Sequence, residues 1–311
     1  LGTTLTFASS HWLLAWMGLE INTLAILPLM AQHHHPRSVE ATTKYFLAQA
    51  TAAATILFAS MTNAWTCGQW DIYHMSHPTA TIMVTIALAL KVGLAPMHFW
   101  MPPVLQGLDL TTGLIMTTWQ KLAPFALLIQ IAPAAHPTLL TTMGIMSALV
   151  GGWGGLNQTQ LRKMLAYSSI AHLGWMIIVL QLMPQLTTLT LSIYIIMTST
   201  AFLTFKQLSS TKMNTLALSW PKTPLIVTTA TLTMLSLGGL PPLTGFMPKW
   251  LILQELTKQG LPLPATIMAL TALLSLYFYL RLCYTMTLTI APNMNSSTTP
   301  WRLTNTQLTL P

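Results

Sequence analysis

Charged residues are scarce in this chain of 311 residues: only 6% are Asp, Glu, Lys or Arg, and only five are acidic. A soluble domain of this length would carry about 25% charged residues. Hydrophobic residues make up 53% of the sequence. Apolar stretches of about 20 residues, long enough to cross a bilayer, recur along its whole length. Segments of about ten residues that alternate apolar and polar positions, as membrane β-strands do, are missing. The composition therefore predicts an all-α, polytopic membrane protein.

Cysteine is equally scarce. Cys67 and Cys283 are the only two cysteines and lie far apart in the sequence, which excludes iron–sulfur clusters, cysteine-rich zinc sites and a disulfide framework. No glycine-rich phosphate loop and no Ser-His-Asp pattern stands out. The chain is basic, but no basic stripe with interleaved aromatic residues indicates nucleic acid as a partner. We therefore expect no metal and no cofactor on the chain itself, and no nucleic-acid partner.

Ten apolar segments are candidates for membrane-spanning helices. They are Trp12–Met30, Tyr45–Asn63, Thr79–Met97, Leu110–Ile131, Thr138–Gly155, Leu165–Met183, Leu186–Phe205, Pro224–Leu240, Phe246–Gly260 and Leu263–Ile290. If the eighth and ninth form one interrupted helix, alternate loops place only Lys258 on one side of the membrane. The other side then receives nine basic residues: Arg37, Lys44, Arg162, Lys163, Lys206, Lys212, Lys222, Arg281 and Arg302. This asymmetry is typical of membrane proteins and favours the interrupted helix.

Four ionisable residues lie in or beside these apolar segments, where water is scarce. They are Glu20, Lys91, Lys121 and Lys249. One charge at the centre of a bilayer costs roughly 2.5–3.5 kcal/mol, so a chain that keeps four of them is expected to use them. Glu20 and Lys91 lie at similar depths, and pairing would stabilise both charged forms while desolvation favours both neutral forms. Lysine titrates readily when buried, whereas arginine does not. The pattern predicts an ion or proton path in which Glu20 and Lys91 act as a switch.

Two proline-rich breaks have matching sequences. Residues 93–102 read GLAPMHFWMP and residues 239–248 read GLPPLTGFMP, with five of the ten positions identical. Each proline removes a backbone donor and interrupts a helix. Interrupted helices at matching places in two halves of a membrane protein indicate a transport site, because freed carbonyls are tolerated only inside protein or beside water. A lysine flanks each break, Lys91 before the first and Lys249 after the second.

Longer segments resemble one known family. They read HWLLAWMGLEINTLAILPLM, KYFLAQATAA, GLNQTQLRKMLAYSSIAHLGWM and SLGGLPPLTGFMPKWLILQE. They are similar to the mitochondrially encoded chain 2 family of vertebrate NADH–ubiquinone oxidoreductase, respiratory complex I, and the resemblance runs from near Leu1 into the C-terminal tail. Relative to that family, the chain is expected to lack part of the first helix and all of the last. Both ends are therefore interpreted as truncated, with residues 291–311 forming a polar loop before the missing last helix.

The resemblance implies a single antiporter-like domain over residues 1–311. It would consist of two five-helix repeats of inverted topology, about 12–131 and about 138–290, each with a broken helix. The implied function is proton translocation across the mitochondrial inner membrane, coupled to electron transfer from NADH to ubiquinone. FMN, Fe–S clusters and ubiquinone are then expected on other subunits. The implied partners are other membrane subunits of complex I, including neighbouring antiporter-like chains and accessory subunits, and membrane lipids such as cardiolipin.

The resemblance also implies roles for single residues. In the family, a Glu–Lys pair, a central lysine and a second broken-helix lysine form a polar axis along the membrane. The residues at those positions are Glu20 in WMGLEIN, Lys91 in ALKVGLAP, Lys121 in WQKLAP and Lys249 in FMPKW. His98 in MHFW and His172 in SSIAHLGW also match family positions and are further candidates for proton relay. For His98, hydrogen bonding to the carbonyls freed by the break is an equal alternative.

Two other functions are compatible with the same residues. A free-standing cation/proton antiporter would use the same broken helices and lysines. A structural membrane module would keep the lysines only to bind water and to link helices, while protons move elsewhere. Loss of the charge at Lys91 would leave proton pumping unimpaired only in the structural module.

Overall fold

The computed structural model describes residues 1–32, 34–220 and 223–287, and these residues form helices without any β-strand. The helices are α1 (Gly2–Ala8), α2 (Trp12–Met30), α3 (Pro36–Cys67), α4 (Pro78–Val92), α5 (Met101–Gly107), α6 (Leu110–Thr117), α7 (Trp119–Ile131), α8 (Pro137–Gly155), α9 (Leu161–Val179), α10 (Pro184–Gln207), α11 (Met213–Ala217), α12 (Pro224–Gly238), α13 (Phe246–Lys258) and α14 (Pro262–Thr287). The predicted loop 291–311, Lys222, Arg302 and the end of the span Leu263–Ile290 lie outside the described residues.

Five stretches in the described part of the chain are long and apolar enough to cross a membrane: α2, α3, α6 with α7, α10 and α14. Two shorter apolar helices, α4 and α12, are the first halves of the interrupted helices. The predicted span Trp12–Met30 coincides with α2. The all-α membrane fold predicted from the sequence is therefore confirmed.

Helix α3 is longer than the predicted span Tyr45–Asn63, because it occupies Pro36–Cys67. At its start, the backbone N–H of Arg37 donates a hydrogen bond to the side chain of His35 at 3.2 Å. At its end, Gly68 adopts a left-handed conformation with φ 71°, which glycine adopts without steric penalty. Hydropathy identifies only the apolar centre of such a helix, whereas capping determines its ends.

Both predicted helix breaks are present, and they end in the same way. Helix α4 is followed by Gly93 with φ 89°, and α12 by Gly239 with φ 82°. In each break the next N–H, from Leu94 or Leu240, donates to the carbonyl five residues earlier, at 2.9 and 3.3 Å. This is the hydrogen bond of a Schellman cap. The predicted span Thr79–Met97 is therefore too long, since its helix stops at the first break.

A third interruption was not expected from the sequence. The predicted span Leu110–Ile131 is divided at Thr118, which has φ −109° and ψ −70°. The hydroxyl of Thr118 donates to the carbonyl of Leu114 at 2.7 Å, and that of Thr117 donates to the carbonyl of Gly113 at 3.0 Å. Threonine hydroxyls that bond to preceding carbonyls bend helices. The interruption lies one turn before Lys121.

The helices pack in two sets with the same pattern of contacts. In the first set α1 packs on α2, α2 on α3, α3 on α4, and α4 on α7. In the second set α8 packs on α9, α9 on α10, α10 on α12, and α12 on α14. The short helix α1, which precedes the ten predicted spans, thus takes the place in the first set that α8 has in the second. Contacts of α5 and α6 with α9, and of α6 with α10, join the two sets.

Candidate functional site

Lys91 lies in the last turn of α4, directly before the first break, and is buried. The side-chain amide of Gln49 donates to its backbone carbonyl at 3.3 Å. The ammonium of Lys91 and one carboxylate oxygen of Glu20 have no hydrogen-bond partner, and no ion pair joins the two residues in the described part of the chain. Glu20 nonetheless acts on Lys91 through its charge. The structure therefore places the predicted pair within electrostatic range but not in contact.

Lys91 and Lys121 line the same cavity. Polar side chains of Thr23, Gln49 and Gln120 share its wall. The cavity has a volume of about 20 Å³, which is room for about one water molecule. A small polar cavity between two lysines allows a proton to pass through one water molecule or one polar side chain.

Lys121 lies at the junction of the two helix sets and is 3% exposed. Its ammonium donates to the hydroxyl of Tyr194 on α10 at 3.4 Å and lies 5.3 Å from the centre of the tyrosine ring. The hydroxyl of Tyr194 in turn donates to the carbonyl of Thr117 at 3.4 Å. No carboxylate pairs with Lys121 among the described residues. A buried ammonium with one long hydrogen bond is suited to giving up its proton, since lysine titrates readily in such surroundings.

His172 and Lys249 line a second cavity, which lies on the other side of Tyr194 and has a volume of about 30 Å³. The ring centre of His172 is 5.6 Å from that of Tyr194. The ammonium of Lys249 donates to the carbonyl of Gly238 at 3.0 Å, at the end of α12. A backbone carbonyl at the second predicted break thus accepts a hydrogen bond from Lys249.

Two predicted site residues, Glu20 and His98, line neither of these two cavities. His98 lies at the first break. It is buried between α4 and α5, and its ring packs against Phe99 with centres 4.4 Å apart. Its Nδ1 atom has no hydrogen-bond partner. The two cavities therefore bring together Lys91, Lys121, His172 and Lys249, and leave Glu20 and His98 outside them.

Sequence analysis missed Tyr194, which touches Lys121 and lines the cavity of Lys249. The available signal was a hydroxyl-bearing aromatic residue at the centre of the apolar span Leu186–Phe205. It also missed Gln49 and Gln120, two amides inside the helical region that line the first cavity. Polar side chains that are not charged stand out little in a hydropathy pattern.

Comparison with known families agrees with the fold. A family profile described as "NADH:quinone oxidoreductase/Mrp antiporter, TM" matches residues 9–275, and one described as "NADH dehydrogenase subunit 2 C-terminus" matches residues 276–311. NADH-ubiquinone oxidoreductase chain 2 of Formosania lacustris is 74% identical over 310 residues, covering 100% of this chain and 89% of that protein. The same-named protein of Squalus acanthias is 66% identical, covering 99% and 88%. The chain belongs to the NADH-ubiquinone oxidoreductase chain 2 family.

Solved structures place this chain 2 family member among antiporter-like membrane proteins. A chain of respiratory complex I from Thermus thermophilus superposes with a TM-score of 0.86 at 32% identity, covering 92% of this chain and 68% of that one. A chain of the Mrp complex from Dietzia sp. DQ12-45-1b superposes with a TM-score of 0.83 at 16% identity, covering 96% and 61%. The second likeness concerns the fold alone. The antiporter-like fold with broken helices, expected from the sequence, is confirmed.

Gly93 and Gly239, the glycines at the two breaks, offer a matched test of whether contact with the second break positions Lys249. A Cβ atom on Gly239 would lie 2.9 Å from the ammonium of Lys249, whereas one on Gly93 would meet the flexible sulfur of Met101 at 3.2 Å. Gly239→Ala and Gly93→Ala should each lose about 1–2 kcal/mol of stability, because alanine is strained in the left-handed region. Only Gly239→Ala should also lower proton pumping per assembled complex. Equal pumping by both variants would show that the contact between Lys249 and the break is not needed.

Proposed function

We propose that this chain moves protons through its interior along Glu20, Lys91, Lys121 and Lys249, with His172 beside the last step. The observation that carries the proposal is the arrangement of the three lysines. Lys91 and Lys121 share one polar cavity, and Tyr194 separates Lys121 from a second cavity that contains Lys249. Each cavity has room for at least one water molecule, which is what a water-mediated step between its lining residues requires.

The chain is a multi-pass membrane subunit of respiratory complex I in the mitochondrial inner membrane, as its family membership and its apolar helices establish. It is thus part of a proton-translocating enzyme, NADH:ubiquinone oxidoreductase. We assign FMN, the Fe–S clusters and ubiquinone to other subunits, so the energy for proton transfer reaches this chain through its neighbours. Glu20 and Lys249, at opposite ends of the polar row, are the residues through which we expect neighbouring antiporter-like subunits to act.

The division into two repeats and the lipid partner are also part of the proposal. We divide the chain into an inverted pair of units at about residues 131–138, supported by the matching helix contacts on either side. The first unit includes α1. Each unit then has five long or interrupted helices, when the two halves of a broken helix are counted as one. Anionic lipids such as cardiolipin would be attracted by the basic side of the membrane, where Arg37 and Lys44 lie in α3.

Two features of the lysines favour transfer over a static role. All three are buried, and none of them forms an ion pair within the described residues. A buried charge without a partner is destabilising. A permanent charge of this kind would therefore not stabilise the fold. A lysine that alternates between charged and neutral forms carries the charge only part of the time.

Replacing Lys91 with methionine tests the proposed function. Methionine keeps the length of the side chain but removes the charge, so we expect the complex to assemble and to pump protons at least about tenfold more slowly. The measurement is proton uptake by vesicles during oxidation of NADH by ubiquinone. Lys206→Met is the matched control, because Lys206 is exposed at the end of α10.

The outcomes of this experiment separate the three functions. Normal pumping by assembled complexes with Lys91→Met would contradict the proposal and favour a structural module. Cation transport by the purified chain alone in liposomes would favour a free-standing antiporter. Impaired pumping with Lys91→Met, together with normal pumping with Lys206→Met, supports a proton path through this chain.

A further inference from the structure

Tyr194 lies at the point where the two helix sets meet. Its helix, α10, packs against α6 of the first set and against α9 and α12 of the second. The side chain is 2% exposed, although it ends in a hydroxyl group. A buried hydroxyl without a good partner costs stability. Its hydrogen bonds to Lys121 and Thr117 are both long, at 3.4 Å, and the side chain of Ser169 is a further polar partner. Hydrogen bonds of this length stabilise a buried hydroxyl only weakly.

The hydroxyl has the connections that a proton carrier needs. A tyrosine hydroxyl donates one hydrogen bond and accepts up to two. Here it accepts from the ammonium of Lys121 and donates to the carbonyl of Thr117. Because the hydrogen bond to Thr117 is longer than the usual 2.5–3.0 Å range of O–H···O bonds, turning the hydroxyl away from Thr117 breaks only a weak interaction.

The other side of the ring opens toward Lys249. Tyr194, His172 and Lys249 line the second cavity together, and its 30 Å³ is room for one or two water molecules. Tyr194 lines this cavity but not the one shared by Lys91 and Lys121. Lys121 lines the first cavity but not the second. The contact between Lys121 and Tyr194 is therefore the connection between the two cavities.

We infer that the Tyr194 hydroxyl carries the proton from Lys121 to the cavity that holds His172 and Lys249. In this step the tyrosine oxygen accepts a proton from the Lys121 ammonium and releases its own proton to a water molecule or to the His172 imidazole. Lys121 becomes neutral, the acceptor gains one proton, and Tyr194 ends as a neutral phenol. The hydroxyl turns from Thr117 toward the second cavity before the transfer. Afterwards its new O–H bond points toward Lys121, and turning back to Thr117 completes the cycle. This inference rests on the proposed function, since it assigns one step of that proton path.

The ring of Tyr194 has a separate, structural role that a test must leave intact. It packs in the cluster of buried side chains that includes Leu128 and Leu173. Its face also lies 5.3 Å from the Lys121 ammonium, within the range of a cation–π interaction. Phenylalanine keeps both features and removes only the hydroxyl.

The test is Tyr194→Phe in the assembled complex, with Tyr167→Phe as the matched control. Tyr167 is partly buried, packs against Gly154 and lines neither cavity. We expect Tyr194→Phe to assemble normally and to pump protons about tenfold more slowly, because a water molecule replaces the hydroxyl only in part. The solvent hydrogen isotope effect on pumping should also increase, since this transfer becomes rate-limiting. Tyr167→Phe should change neither.

Comparison with Lys121→Met separates this inference from the proposed function. If Lys121→Met impairs pumping while Tyr194→Phe leaves the rate and the isotope effect unchanged, the tyrosine step is wrong and the lysine path stands. If Lys121→Met also pumps normally, the path itself is wrong. A loss of assembly with Tyr194→Phe, together with normal pumping per assembled complex, would assign the hydroxyl to stability and overturn the inference.

Discussion

Replacing Lys121 with methionine is expected to lower proton pumping by the assembled complex at least about tenfold, the effect of losing a positioned acid–base group. Lys121 connects the two cavities: it lines the one shared with Lys91 and contacts Tyr194, which lines the other. Without the Lys121 ammonium, Tyr194 loses the one titratable hydrogen-bond partner that it has among the described residues. Assembly should not suffer, because replacing a buried, unpaired charge with an apolar side chain is neutral or stabilising.

Lys121→Arg sharpens this test. Arginine keeps the positive charge but stays protonated in proteins. If Lys121 transfers protons, arginine should impair pumping nearly as much as methionine. If its charge only holds waters or helices in place, arginine should preserve pumping. The measurement is protons moved per NADH oxidised, compared with Lys206→Met and Lys206→Arg at an exposed position. Pumping restored by arginine would contradict proton transfer through Lys121.

Gly245→Ala is expected to reduce the amount of assembled complex strongly. A Cβ atom at this position would lie 1.9 Å from the backbone carbonyl oxygen of Ser236 and 2.8 Å from the side chain of Met197. The backbone oxygen cannot move without separating the two halves of the second broken helix. We expect a loss of at least about 3 kcal/mol in stability, at the upper end of the effects of overpacking. The amount of chain in the intact complex on native gels measures this loss.

Gly68→Ala is the control for this substitution. Gly68 has a left-handed conformation with φ 71°, unlike Gly245 with φ −72°, and no atom lies within 4 Å of a Cβ placed there. It should lose only about 1–2 kcal/mol from backbone strain. If Gly245→Ala and Gly68→Ala reduce assembly equally, close packing at the second break is not what holds the two half-helices together.

The charged residues of the candidate site can be recognised in the sequence. Lys91, Lys121 and Lys249 stand out because a charge within an apolar segment is costly and therefore visible. The helix breaks are visible for a similar reason, since glycine and proline act on the backbone locally. The structure brings all three lysines into one connected row, which supports the proposed path.

Other features depend on contacts that no local pattern encodes. Tyr194 meets Lys121 across 73 positions of sequence, and tyrosine in an apolar span is also compatible with simple packing. Whether Glu20 touches Lys91 depends on how α2 and α4 are rotated about their axes, which side-chain packing between distant segments decides. The interruption at Thr118 is likewise not visible in the sequence. Threonine is common in the helices of this chain, and only the hydrogen bond and backbone angles of Thr118 show that the helix is divided there.

A high-resolution map of the assembled complex, with ordered water resolved, tests the central claim most directly. We expect water in the cavity lined by Lys91 and Lys121 and in the cavity lined by His172 and Lys249, with Tyr194 between them. No gap along the row should exceed one water-mediated step. A continuous dry, apolar gap between Lys121 and Lys249 would contradict a proton path through this chain.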